Sequence, residues 1–260
     1  MQTTVRRVAA LNDIHGNLPA LEAVLDEVER ANPDLIVVGG DVAGGPMPAE
    51  TLDRLIQLDR EIAFVRGNGE RELVRAFDRP RRDDDEPGKG RRQHRLRWTA
   101  SKLTQRHRDF LAGFTDPIVI AVEGLGPVLF CHGSPRSEDE IITAVSSEER
   151  LRGILDGVEQ QVIVCGHTHH QFDRRVAGRR VINAGSVGMP YEGTTGLAYW
   201  ALLGPEVELR QTGYDFAAAL QAIRSTGYPN REGLIADFER PPTAQEVAEY
   251  FESVALGQSV

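Results

Sequence analysis

The 260-residue chain reads as an α/β protein: two packed mixed β-sheets with helices on the outside, in one domain spanning residues 1–260. Two patterns predict this. Strand and helix signals alternate through the first quarter of the chain, which implies right-handed crossovers and a mostly parallel sheet. The second half is richer in strands and carries hairpin signals. Composition agrees: 40% apolar and 27% charged residues are ordinary for a globular protein, and the length suffices to bury a sizeable core.

Val5–Leu11 is a short apolar run and reads as a buried strand. Asn17 can cap the next segment, where Leu18, Leu21, Val24, Leu25 and Val28 recur at helical spacing until Pro33 closes it. Leu35–Val38 is a second strand and ends at Gly39-Gly40-Asp41. A Gly/Pro-rich loop leads to a helix over about 48–58, and Ile62–Val65 is a third strand ending at Arg66-Gly67-Asn68. Asp78–Gln93 is charged, holds two Pro and two Gly, lacks periodicity, and reads as a loop. Leu96, Trp98, Leu103, Phe110 and Leu111 then suggest helix. Together these form an insertion at about 76–112 that could cap a site.

Ile118–Val122 and Val128–Cys131 flank Gly124-Leu125-Gly126, a hairpin signal. Ser146–Leu155 reads as helix and Val162–Cys165 as strand. Phe172–Val176 and Arg180–Asn183 flank Ala177-Gly178, and Leu197–Leu202 pairs with Val207–Gln211. Two helices finish the chain at about 215–256, around Asp215–Ser225 and Thr243–Val254.

The formal charge of −9 argues against a general nucleic-acid binder. The longest apolar stretches, such as Ile118–Val122, fall far short of the about 20 residues that cross a bilayer, so no membrane partner is expected. The N-terminal stretch has no apolar core or small-residue cleavage site of a signal peptide. Two cysteines, Cys131 and Cys165, exclude a disulfide scaffold and a four-cysteine zinc site, which leaves a cytoplasmic location as the expectation.

Several strands end in residues that bind metals: Asp13-Ile14-His15, Gly40-Asp41, Gly67-Asn68, Cys131-His132-Gly133 and Gly166-His167-Thr168-His169. Ligands of α/β sheets bind at the carboxyl ends of strands, so these five loops are expected to converge. They offer two carboxylates (Asp13, Asp41), one amide (Asn68) and four imidazoles (His15, His132, His167, His169). Oxygen and nitrogen donors of this kind suit Mn²⁺, Fe, Zn²⁺ and Ni²⁺. Seven donors exceed one tetrahedral ion but suit two divalent ions sharing a carboxylate and a water, with Asp41 the natural bridge. A pair of divalent ions outweighs the two carboxylates, and the residual positive field attracts a phosphate group. Two metals about 3.5–4 Å apart stabilise both the attacking and the leaving oxygen of an in-line displacement, and can bring the pKa of a bound water to about 7.

The ordered set Asp13-x-His15, Gly40-Asp41, Gly67-Asn68, His132-Gly133, Gly166-His167-x-His169 resembles the calcineurin-like metallophosphoesterases, over roughly Val5 to Leu202. The wording DIHGN, GGDV, HGSPR, CGHTHH and NAGSVG is most similar to their small bacterial branch. The resemblance implies a four-layer αββα sandwich, two mixed β-sheets flanked by helices. It implies one metal held by Asp13, His15, Asp41 and His169, and another by Asp41, Asn68, His132 and His167. Asp41, Asn68 and His132 would be the catalytic group, beside a bridging hydroxide that attacks phosphorus. Mn²⁺ is the first expectation, and the implied partner is a small phosphate-ester substrate, foremost a phosphodiester.

One departure stands out. Many members place a His directly after the Asn, where it is thought to assist the leaving group; here that position is Gly69. Substitute acids would have to come from His94, His107 or His170, and Arg136 could clamp a phosphate. Cys131 and Cys165 read as packing residues, and Asn12 and Asn17 as caps or turn formers. Gly185-Ser186-Val187-Gly188 could bring backbone close to the metals, or be a plain turn. Two rival readings remain: a non-catalytic metal-binding scaffold of the same fold, and an unrelated two-metal hydrolase such as an amidohydrolase. The occupied seven positions count against the first, and their order against the second.

Overall fold

Along the first strand, β1 (Val8–Leu11), every residue is buried. Val8 and Ala10 face one core, while Ala9 and Leu11 face another. A computed structural model describes residues 4–79 and 90–257, and in it this alternation extends to two stacked sheets. The first sheet adds β2 (Leu35–Val38), β3 (Ile62–Phe64), β9 (Leu197–Leu203) and β10 (Val207–Gly213), in the order β10-β9-β1-β2-β3. The second consists of β4 (Ile118–Val122), β5 (Gly126–Phe130), β6 (Val162–Cys165), β7 (Phe172–Val176) and β8 (Arg179–Asn183), in the order β4-β5-β6-β8-β7. Both are mixed. β1, β2 and β3 run parallel, as do β5, β6 and β8; β9, β10, β4 and β7 join antiparallel.

Val8, Ala10, Leu35, Val37, Ala201 and Leu203 of one sheet pack on Val128, Phe130, Val162, Val164 and Ile182 of the other. The opposite face of the first sheet, including Ala9, Leu11, Ile36, Val38 and Trp200, is covered by four helices. They are α1 (Leu18–Ala31), α2 (Pro48–Ile56), α3 (Asn68–Asp78) and α5 (Gln105–Ala112), with Leu21, Val24, Leu52, Leu73 and Leu111 buried beneath them. The outer face of the second sheet is covered by α6 (Glu148–Ile154), through Leu151 and Ile154 on Leu129, Ile163 and Val181. The layers therefore run helix, sheet, sheet, helix. Cys131 and Cys165 are free, buried thiols inside this outer core. Burial pushes the Cys165 thiol up to about 12, so both cysteines behave as small hydrophobes. No helix among the described residues is long and apolar enough to cross a membrane.

A fourth apolar cluster joins α7 (Phe216–Ser225) and α8 (Arg231–Glu239) to Met47 through Leu220, Ile223, Tyr228, Leu234, Ile235 and Phe238. Trp98 of α4 (Arg91–Ala100) meets Tyr228 edge-on at 5.3 Å. The last helix, α9 (Ala244–Ala255), buries Val247 and Ala248.

Three expectations need correction, and one helix was not foreseen. Val5 does not extend β1; its amide donates to Ala121 O across to the second sheet, where it bridges Val122. Residues 68–78 form α3, which the charged, weakly apolar segment conceals. Helix α4 already covers 91–93, inside the stretch read as loop, while residues 80–89 of that loop lie outside the described residues. Three helices, not two, end the chain. Gly233 inside α8 and Pro229 before it lower local helix propensity, and tertiary burial of Leu234, Ile235 and Phe238 overrides it.

Candidate metal centre

The strand register decides where the functional residues meet. Leu11 lies opposite Val38, Val38 opposite Phe64, and Phe130 opposite Val164. The segments that follow, bearing Asp13, Asp41, Asn68, His132 and His167, therefore leave their sheets at the same edge. Among the described residues, eight non-glycine residues have positive φ, and five of these are Asp13, His15, Asp41, His167 and His169. Left-handed backbone costs free energy for residues with a Cβ and concentrates at functional sites. Backbone bonds hold it here: Asp13 N donates to Gly40 O (3.1 Å), His15 N to Asp41 O (2.9 Å), and Gly188 N to Asp13 O (3.0 Å). Gly40, at φ +92°, has no room for a side chain: a Cβ would lie 2.7 Å from both Gly67 N and His132 Nδ1.

All seven predicted residues share one cluster. Asp13 Oδ1 lies 3.2 Å from His169 Nε2, 3.8 Å from His15 Nε2 and 4.0 Å from His132 Nε2. None of these contacts has hydrogen-bond geometry, so Asp13 Oδ1 is fully buried without a partner. Its Oδ2 accepts the His167 amide at 2.9 Å. Asp41 turns Oδ2 toward His15 Nε2 (3.8 Å) and Oδ1 toward His132 Nε2 (3.5 Å). Asn68 Oδ1 is 3.2 Å from His132 Nε2, and the His167 ring meets the His132 ring edge-on at 5.1 Å.

Two tautomers follow from the backbone. His132 Nδ1 donates to Gly39 O (2.9 Å) and His169 Nδ1 to Met189 O (2.8 Å), which turns each Nε2 toward the cluster, where a cation can replace any proton it carries. His15 Nε2 and His169 Nε2 approach to 3.0 Å, a separation that two lone pairs sustain only with a proton or cation between them. A buried orphan oxygen and converging imidazole nitrogens fit a cation. Donor atoms of Asp13, His15 and His169, and of Asp13, Asp41 and His132, form two groups within 4.8 Å. Asp13 belongs to both groups, whereas the resemblance gives Asp41 to both cations.

Electrostatics agree. Burial pulls the Asp13 carboxyl toward protonation, but His169, His132 and His15 outweigh it and hold it far below the usual carboxylate range. Burial alone would push His132 down; Asp41, Asp13 and the Gly39 carbonyl outweigh it and raise it to about 9. His167 is pushed down to about 4 by burial and by His132 beside it, and burial with His169 lowers His15.

Sequence reasoning overlooked the support around these groups. Glu70, fully buried, accepts the amides of Asp41 and Gly67 on Oε2 and of Val42 on Oε1, each at 2.8 Å. It ties the Asp41 loop to the start of α3, where Asn68 sits. A Glu three residues after a helix N-cap is a capping signal that could have marked it. Ser186 Oγ donates to Asp13 O (2.7 Å), so the Gly185–Gly188 turn does reach the site. Asn17 caps α1 through Ala20 N and donates to Gly188 O. Tyr191 stacks on His169, with ring centres 4.9 Å apart and planes at 20°.

Other candidates are engaged elsewhere. The Arg136 guanidinium chelates Glu140 at 2.6 and 2.8 Å and donates to Gly153 O, so its side chain is directed to α6 rather than to the cluster. His107 donates to Asp53 and accepts from Thr104 N; His170 donates to Thr168 O and accepts from Ala144 N. Both rings are fully occupied. His94 is exposed on α4. The Gly69 amide donates to Asp41 Oδ1 at 2.6 Å.

Residues 7–203 match the model of the calcineurin-like phosphoesterase superfamily domain. None of the curated proteins compared with the chain matches it. Among solved structures, a metallophosphoesterase from Sphaerobacter thermophilus is similar at 25% identity and TM-score 0.73, over 91% of this chain and 99% of that one. A hypothetical protein from Pyrococcus horikoshii OT3 shares the fold at 22% identity and TM-score 0.76, over 89% and 97% of the two chains. With a family match over most of its length and the family's donor residues gathered in one cluster, this chain belongs to the calcineurin-like phosphoesterase superfamily.

Proposed function

We propose that the protein is a metal-dependent phosphodiesterase that works with two divalent cations, Mn²⁺ first among Mn²⁺, Fe, Zn²⁺ and Ni²⁺. The observation that carries this reading is the pair of Asp41 oxygens, one facing His15 and the other His132, around a buried Asp13 oxygen that has no hydrogen-bond partner. Asp13, His15, Asp41 and His169 would hold one cation, and Asp41, Asn68, His132 and His167 the other. Such cations supply a positive field for the phosphoryl oxygens and lower the pKa of a water toward neutrality.

The chain's own contribution is orientation. Gly39 O and Met189 O fix His132 and His169 with Nε2 inward. Glu70 and Gly69 N hold Asp41 in register with Asn68. No imidazole stands at position 69 to protonate a departing alkoxide, and His107 and His170 are engaged elsewhere. Leaving groups that depart without a proton are therefore favoured, which points to activated diesters over alkyl monoesters. The expected setting is the cytoplasm, in keeping with two free thiols.

The test is hydrolysis of bis-p-nitrophenyl phosphate with Mn²⁺ by wild type and Asp41→Asn. Wild type is expected to turn over. Asp41→Asn is expected to lose about 10²–10³-fold in kcat/KM, the scale of one lost preorganised electrostatic contact. Absence of turnover with every divalent metal, or an undiminished mutant, overturns the proposal.

A further inference from the structure

Strand β10 forms one edge of the first sheet, and among the described residues no strand pairs with its outer side. The other three sheet edges are covered or blunted. Beside β3, Thr115 bridges Val65, and its amide donates to Phe64 O. Beside β4, Val5 N donates to Ala121 O, and Glu123 N donates to Val5 O. β7 is five residues long and its middle three, Asp173, Arg174 and Arg175, are all charged, a common protection of an edge against pairing. β10 has seven residues, of which Glu208, Leu209, Gln211 and Gly213 are exposed. An open edge of this length is a template for another strand.

The side chains of β10 indicate which strand fits. Val207 and Leu209 lie on the inter-sheet side, opposite Leu203 and Ala201. Glu208 and Arg210 lie on the outer side, opposite Leu202 and Trp200, with the Arg210 guanidinium 5.3 Å from the centre of the Trp200 ring. Within one chain Arg210 Nη2 meets Glu208 at 2.6 Å. A second β10 laid antiparallel, about a two-fold axis through Leu209, sets each Glu208 opposite the Arg210 of the other copy, because the two positions flank the axis equally. Directly opposed residues have Cβ atoms about 4.5–5.5 Å apart, so both pairs attract. The same register sets Leu209, 38% exposed in the single chain, against its own copy, and Val207 against Gln211. A two-fold contact of one surface with itself needs this kind of self-complementarity.

We infer that β10 is a self-association edge: two copies of this chain pair through it, antiparallel and in register about Leu209, and join two five-stranded sheets into one. The inference does not depend on the phosphodiesterase reading. The paired strands run in opposite directions, so the metal-site edges of the two copies face opposite ways.

Charge exchange tests the register. Sedimentation velocity of the full chain at rising concentration should show a monomer–dimer equilibrium for wild type. Glu208→Arg opposes Arg to Arg twice, and Arg210→Glu opposes Glu to Glu twice. Each should raise the dissociation constant roughly tenfold or more, since two cross-strand pairs change sign. The double variant E208R/R210E restores both attractions and should recover dimerisation, whereas two merely disruptive substitutions would add. Leu209→Cys should cross-link two chains when oxidised glutathione is added, because opposed strand positions lie within disulfide reach. Cys131 and Cys165 are buried and do not compete. Gln211→Cys should not cross-link, since it lies about 13 Å along the strand from its copy. A wild type that stays monomeric at every concentration, single variants that dimerise like wild type, a double variant weaker than both singles, or Gln211→Cys cross-linking as readily as Leu209→Cys overturns the inference.

Discussion

Asp13, His15, Asp41, His167 and His169 all stand in left-handed backbone at strand ends, whereas between Phe216 and Ala255 only Asn230 does. The strand-end loops are held by backbone amides and by glycines with no room for a Cβ, such as Gly40 and Gly188. The C-terminal helices are held by side chains: Leu220, Ile223 and Phe238 in an apolar cluster, and Glu252 on Arg150. The first construction places donor atoms tightly and tolerates little change. The second sets a helical rim beside those loops, where Phe251 lies 6.4 Å from the His167 ring. Loops stiff enough to pre-arrange unpaired donors need backbone bonding, since side-chain packing alone leaves the backbone free to relax.

Breaking the loop construction should have the largest effect. Glu70→Ala strips the acceptor from three buried amides, each worth about 1–3 kcal/mol when left unpaired. It should lower stability by several kcal/mol and activity by about 10–100-fold, as loss of groups that orient metal ligands does. Urea unfolding and steady-state kinetics measure the two losses. Wild-type values for both would show that Glu70 does not support the site.

The charge of the loops gives the next effect. With no cation bound, His132 holds its proton up to about 9, and a metal must displace it. Mn²⁺ affinity should therefore rise with pH, by about tenfold per unit from pH 6 to 8, with uptake of metal releasing a proton. His167, at about 4, is already neutral there and adds nothing to the slope. Calorimetry in buffers of different ionisation enthalpy reads the released proton. A flat profile would contradict the assignment of His132.

The rim should respond least. Glu252→Gln weakens charge-assisted hydrogen bonds worth roughly 1.5–3 kcal/mol in total. Hydrogen exchange should quicken across Ala244–Ala255 and stay unchanged at Asp41 and Val42. Equal loosening of both regions would mean that they form one cooperative unit.

The same contrast explains what could be read from the residues alone. Asp13, His15, Asp41, Asn68, His132, His167 and His169 announce themselves, because each follows an apolar run and strand ends converge by topology. The nine-residue α8 and Phe251 do not. Their positions depend on contacts between segments far apart in the chain, such as Glu252 with Thr143, which no local pattern encodes. Arg136 shows the reverse error. Its closeness in sequence to His132 suggested a phosphate clamp, yet Glu140, four residues on, captures it. Glu70 was legible as a capping residue, but that it also holds the Asp41 loop depends on the packing of α3 beside β2.

Anomalous diffraction from crystals grown with Mn²⁺ tests the central claim most directly. Two peaks are predicted, one among Asp13, His15 and His169, the other among Asn68, His132 and His167, with one Asp41 oxygen directed at each. A single peak, or an Asp41 carboxylate turned away from both, would contradict it.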